Sequence, residues 1–235
     1  MRKIARRALT AGAVAATAVA LTTMPASADP ATNFDVQNGG TIAGSNVGSI
    51  IGFGLINGST LECTSSTASG SLPSGTARPG TGIATLSSVT FSSPGQTNDW
   101  CVANGSIPTR VTALGTPWSF NADDDGPGSD SGPGGTTGGR LTGVQVELYG
   151  PSVGCTATVG GPNGNDGYIE GTYTNPSSLT GNDGTLSVAF GASNNLEVLT
   201  ASSPGCNGLV DVGETVSLAG TYSVVNSSGV SPTID

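Results

Sequence analysis

Asn121, Asp123 and Asp125 occupy alternate positions and Gly126 follows, giving N-x-D-x-D-G. Oxygen ligands at positions 1, 3 and 5 with glycine at 6 make the first half of a calcium loop, because that spacing turns three side chains toward one ion. Position 12 falls on Gly132 instead of a bidentate glutamate, so Asp130 would have to complete a weak site. Calcium at Asn121, Asp123, Asp125 and Asp130 is the one cofactor the sequence suggests; the plainer reading is a solvated acidic loop.

Catalytic chemistry finds less to work with. Gly150-Pro151-Ser152-Val153-Gly154 matches G-x-S-x-G, but that motif needs a strand-to-helix turn and a histidine base, and the chain has no histidine. Glu62, Glu147, Glu170, Glu197 and Glu214 could serve a glycan hydrolase, which needs two carboxylates held beside an aromatic sugar platform. Nothing in their spacing pairs them. The expectation is therefore no catalytic residue and no enzyme, with a carboxylate-based glycan hydrolase as the alternative. Trp100 and Trp118 are the only tryptophans. Trp118 is the candidate binding surface if exposed, and core if buried, as a small all-β core would favour.

The cysteines, Cys63, Cys101, Cys155 and Cys206, are even in number and lack the C-x-x-C spacing of a zinc site, which predicts two disulfides and an oxidising compartment. Three connectivities are open. The halves of the chain rhyme, each with a cysteine on a strand, a later strand, Ser-Ser-Pro-Gly and a second cysteine nearby. Cys63 with Cys101 and Cys155 with Cys206 is thus the economical pairing.

Export fits the N-terminus. MRKIARR, an apolar run to Met24 and Ala26-Ser27-Ala28 read as a signal peptide over 1–28. Cleavage removes four of the seven basic residues and leaves Arg78, Arg110 and Arg140 against sixteen acids, a formal net of −13. A chain so poor in cations has little with which to neutralise phosphate or grip anionic lipid, so neither nucleic acid nor membrane insertion after cleavage is expected.

The elements that must position these groups read as strands. Val144, Val146 and Leu148 alternate with Gln145, Glu147 and Tyr149, and a Gly-Pro-Ser-Val-Gly turn leads to Cys155, Ala157 and Val159. This is the period of a half-buried hairpin. Similar segments run over 83–91, 107–114, 117–121, 168–174, 185–190, 196–200 and 215–225. Gly-Asn-Asp-Gly at 164–167 and 181–184 signals two further turns. Ala122 to Gly139 contains only small or polar residues besides Pro and reads as an exposed loop. Residues 29–59, rich in Gly and Asn, read as an N-terminal arm or irregular edge strand. The fold expected over 60–235 is all-β, an antiparallel β-sandwich of about ten strands with two disulfides.

LECTSSTASG, TPWSFNA, GCTATVGG, GTYTN and AGTYSV resemble a recurrent group of small exported actinobacterial β-rich proteins, over roughly Leu61 to the C-terminus. The shared motifs are structural and the group carries no assigned activity, so the resemblance implies no catalytic residue. The sequence expectation is a secreted, acidic, non-catalytic protein, extracellular or wall-associated, acting as a structural or binding module on an envelope or protein partner. A calcium-stabilised adhesion module is the third reading.

Overall fold

The computed structural model describes residues 33–54, 56–123, 132–164, 166–202, 206 and 209–235. The signal-peptide assignment, Asp125 and Asp130 lie outside them. The described residues form eighteen strands: β1 (Asn33–Gln37), β2 (Gly40–Asn46), β3 (Ile50–Gly54), β4 (Thr60–Cys63), β5 (Ser65–Leu72), β6 (Gly75–Pro79), β7 (Ala84–Ser92), β8 (Cys101–Ala103) and β9 (Ile107–Leu114). Then follow β10 (Trp118–Asp123), β11 (Thr136–Thr142), β12 (Gln145–Gly150), β13 (Cys155–Gly160), β14 (Tyr168–Thr174), β15 (Thr185–Val188), β16 (Glu197–Ala201), β17 (Val216–Asn226) and β18 (Thr233–Ile234).

The all-β, antiparallel class expected from the sequence is what the chain adopts. Most of the strands are halves of longer staves that break once near mid-length. β2 and β3 run end to end along β17, pairing Tyr222 with Asn46 and Ala219 with Ile51. β5 and β4 pair with them in turn, then β7 and β8, then β10 and β9. β11 with β12, β14 with β13, and β15 with β16 continue the meander. β15 pairs with β17, and Glu197 bridges Thr215 just ahead of it. The facing sheets of the expected sandwich are thus opposite walls of one closed, eight-staved barrel, an arrangement that leaves no open edge.

Alternation then decides what fills the barrel. Inward residues of one half form a core with Ile42, Leu72, Phe120, Tyr173 and Val224, and β1, β6 and β18 cover that end as a separate three-stranded sheet. The other half is packed with Trp118, Val144, Ala157, Val159 and Val198. Two apolar voids of about 90 and 100 Å³ remain inside, so the interior is a core rather than a channel. Both disulfides brace the second half: Cys63–Cys101 joins β4 to β8, and Cys155–Cys206 ties β13 to the link before β17. The pairing inferred from the rhyming halves is the one found.

Several local expectations change. Residues 33–54 are more than an arm, since β2 and β3 are full members of the wall. The link over 122–139 is shorter than expected, because Asp123 pairs with Gly138 and Ala122 with Gly139. Those glycines hide the strand from a hydropathy reading, and the Phe120 ring explains one of them: a methyl on Gly139 would lie 2.6 Å from its Cζ. Gly-Asn-Asp-Gly at 164–167 is not a hairpin turn, since β13 and β14 on either side of it pair with different neighbours.

Candidate functional site

The residues singled out for chemistry are mostly occupied with structure. Pro151–Val153 forms a single turn closed by left-handed Gly154, joining two strands, with no helix to aim Ser152. The five glutamates sit on different staves or links. Glu147 meets Arg110 at 3.4 Å and Glu170 meets Arg140 at 3.0 Å. Glu62 accepts from Ser49 Oγ at 2.6 Å. Glu214 is 1% exposed and accepts from the backbone N–H groups of Ile56, Asn57 and Asp211 at 3.1, 2.9 and 3.1 Å, clasping the β3–β4 turn.

Asn121 and Asp123 lie on β10, where extended backbone spaces them along the strand. The Asn121 carboxamide is committed: Oδ1 accepts from Gly82 N–H at 2.8 Å and Nδ2 donates to Thr142 Oγ1 at 2.9 Å. Among the described residues no group of three or more His, Cys, Asp or Glu side chains is gathered for a metal ion. Trp118, the candidate binding surface, is corrected to core: it is 4% exposed, and its Nε1 donates to Leu114 O at 2.9 Å. Trp100 is half-buried and meets the Tyr149 ring edge-on at 6.0 Å.

The feature that departs most from a water-facing wall lies on β3 and β17. Along β3, Ile50 and Gly54 are buried and Gly52 lies against Leu61, so alternation sends Ile51 and Phe53 outward, Ile51 exposed and Phe53 half-buried. They stand opposite Ala219 and Ser217 of β17. Phe190, in the crossing from β15 to β16, is 61% exposed and packs edge-to-face on Phe53 at 5.6 Å. Gly191 N–H, donating to Ser217 Oγ at 3.4 Å, holds the crossing against β17.

Val47 extends the stripe at the β2–β3 break, where its N–H donates to Thr221 O at 2.8 Å. Ile56 and Val212 extend it at the other end. They are 70% and 64% exposed, in two links that Asn57 ties together by donating to Asp211 at 3.0 Å. Apolar residues gathered on an outer wall in this way mark an interaction surface more often than they occur by chance.

The rim of the stripe is acidic. Glu62 on β4 stands opposite Ile51, Glu197 on β16 opposite Thr215, and Asp211 lies at the Val212 end. The three arginines of the described residues are elsewhere, on β6, β9 and β11. Sequence reading passed over these residues because an Ile-Gly-Phe-Gly alternation shows its large side chains on one face without saying which face is inward.

Comparison of the chain with protein-family models, with curated proteins and with solved structures finds no match.

Proposed function

We propose that this chain is a secreted, non-catalytic binding protein of the extracellular space or cell envelope. Its β3–β17 wall docks a protein partner that presents apolar side chains among lysines or arginines. The stripe of exposed Ile51 and Phe190 on either side of half-buried Phe53, between Glu62 and Glu197, carries the reading. A second copy of this chain is the poorer occupant, since docking stripe on stripe would set acidic rims together in a molecule with three arginines beyond residue 28.

Other observations agree. Four of the five glutamates already serve neighbouring donors, which favours a non-catalytic role. Elsewhere the outer wall carries hydroxyls, as in Thr67 with Thr90, Ser71 with Thr85 and Ser187 with Thr221 at 2.7, 3.0 and 3.0 Å. A transmembrane barrel has the opposite pattern, apolar outside and polar within. Two disulfides and the resemblance to small exported actinobacterial proteins support the extracellular placement.

The test is fluorescence anisotropy with a labelled peptide of alternating leucine and lysine. Binding is expected to weaken as salt rises and to fall at least about tenfold in the double variant Ile51→Ser, Phe190→Ser, since the part of each side chain still exposed offers about 1 kcal/mol of burial. That variant leaves the net charge unchanged, which separates the stripe from general attraction of a cation to an acidic protein. Equal binding by the double variant would refute the proposal. So would sedimentation showing a reversible dimer that Phe190→Ser abolishes.

A further inference from the structure

A second feature of the outer wall lies beside the 189–196 crossing and is independent of the stripe. Asp123, Gly138, Thr172 and Ser187 are consecutive cross-strand partners on β10, β11, β14 and β15. Inward-facing Thr137, Ile169 and Tyr173 are buried, so alternation puts Gly138 and Thr172 on the outside. Glycine in the outward place between Asp123 and Thr172 leaves a groove of about 570 Å³, within the roughly 300–1,000 Å³ usual for small-molecule sites. Ala189 and Ala192 close one end with methyl groups, and Arg140 and Glu170 line it from the adjoining row.

The polar groups along this groove are prearranged. Arg140 lies over the Tyr168 ring at 5.1 Å and donates from Nε and Nη2 to the same oxygen, Oε1 of Glu170, at 3.1 and 3.0 Å. Among the described residues this leaves Glu170 Oε2 without a donor, Arg140 Nη1 without an acceptor and the Thr172 hydroxyl without a partner. A carboxylate acceptor beside a guanidinium donor suits a ligand whose neighbouring groups each donate and accept, as two adjacent hydroxyls of a sugar do.

Charge narrows the class. Asp123 and Glu170 oppose an anion, while Arg140 between them opposes a metal cation. We infer that this groove is a binding site for a neutral carbohydrate, gripped through a vicinal diol by Glu170 and Arg140, with Thr172 and Ser187 along its length. Among the described residues no aromatic ring lines it, so single sugar units bind at millimolar strength.

The test is a heteronuclear NMR titration of the disulfide-bonded protein with methyl glucoside, methyl mannoside and maltose. Calcium chloride and sodium acetate are run as separate arms. Saturable shifts are expected at Gly138, Gly171, Thr172 and Ser187. Glu170→Gln and Arg140→Lys should each weaken sugar binding about tenfold without changing the melting temperature by more than a few degrees. Glu147→Gln, at the other arginine pair, should have no effect. No saturable shift with any sugar up to about 50 mM, well past millimolar affinity, would overturn the inference. It would also fall if calcium or acetate shifted these amides while sugars did not, or if Glu170→Gln and Arg140→Lys left sugar binding unchanged.

Discussion

Glu214 shows how this chain spends its carboxylates. It is almost wholly buried, yet no arginine meets it among the described residues; its partners are three backbone N–H groups and the Asn57 carboxamide at 3.3 Å. Gly54 makes room for it, since a methyl there would lie 2.7 Å from Oε1. An acceptor-only group is what such a ring of donors requires. Glu214→Gln should therefore destabilise the protein by about 1–3 kcal/mol, by setting an amide NH₂ against N–H donors; urea unfolding will read the loss. The same reasoning bears on the calcium loop. The Asn121 carboxamide is already held between Gly82 N–H and Thr142 Oγ1, and no carboxylate cluster gathers beside it among the described residues, so millimolar calcium is expected to leave the melting temperature unchanged. A rise of several degrees would favour the metal reading instead. Trp118 could not be placed from sequence, because exposure depends on which wall faces it.

At the scale of elements, what was legible depended on where the large side chains fall. β9 and β14 appear at their full lengths in the sequence reading, through Val111, Ile169 and Tyr173 set among polar residues, and the β12–β13 hairpin is equally plain because inward Val and Leu alternate with polar residues there. β5 was only a Ser/Thr run, for a physical reason. Three of its four inward positions, Ser66, Ala68 and Gly70, are small, and Tyr222 reaches over Gly44 of β2 from β17 into the space they leave, bonding Ser66 Oγ at 2.6 Å. Bulk supplied by one stave spares another from supplying it, so volume is conserved across the barrel while hydropathy along a single strand is not. The midpoint breaks were equally hidden, since a stave interrupted once reads as two strands. The cysteines were legible because their chemistry is independent of packing. Cys155–Cys206 spans 51 residues and anchors the link that carries Asp211 and Glu214. Replacing both cysteines with serine should cost about 2–4 kcal/mol and loosen that link, seen as faster amide exchange at Ile56 and Asn57.

Across the whole molecule, the two ends of the barrel are closed by different means, and pH separates them. Cys63–Cys101 lies at the mid-stave breaks, while Cys155–Cys206 stands at one end. At the other, the C-terminal segment is drawn into the barrel: Asn175 bonds Ile234 through both its donor and its acceptor, and the Tyr173 hydroxyl donates to Pro232 O at 2.6 Å. Burial raises Tyr173 well above the usual phenol value of 10.0, and the charge of Asp183 adds to the rise; burial also raises Tyr222. A phenol whose folded value lies above its unfolded one stabilises the fold fully below pH 10 and loses that contribution as pH climbs past it. Asp183 has the opposite sense, held low by hydrogen bonds from the Ser177 side chain and backbone, so its contribution is lost as pH falls below the ordinary 3.8. The melting temperature should therefore be flat through neutrality and drop above about pH 10, with phenolate absorbance from these two tyrosines rising only as the barrel opens. Tyr173→Phe should lower stability at pH 7 by about 1 kcal/mol for the lost bond to Pro232. Combined with Tyr222→Phe, it should flatten the alkaline limb. An unchanged limb in that double variant would mean that alkaline unfolding starts from groups outside the barrel core.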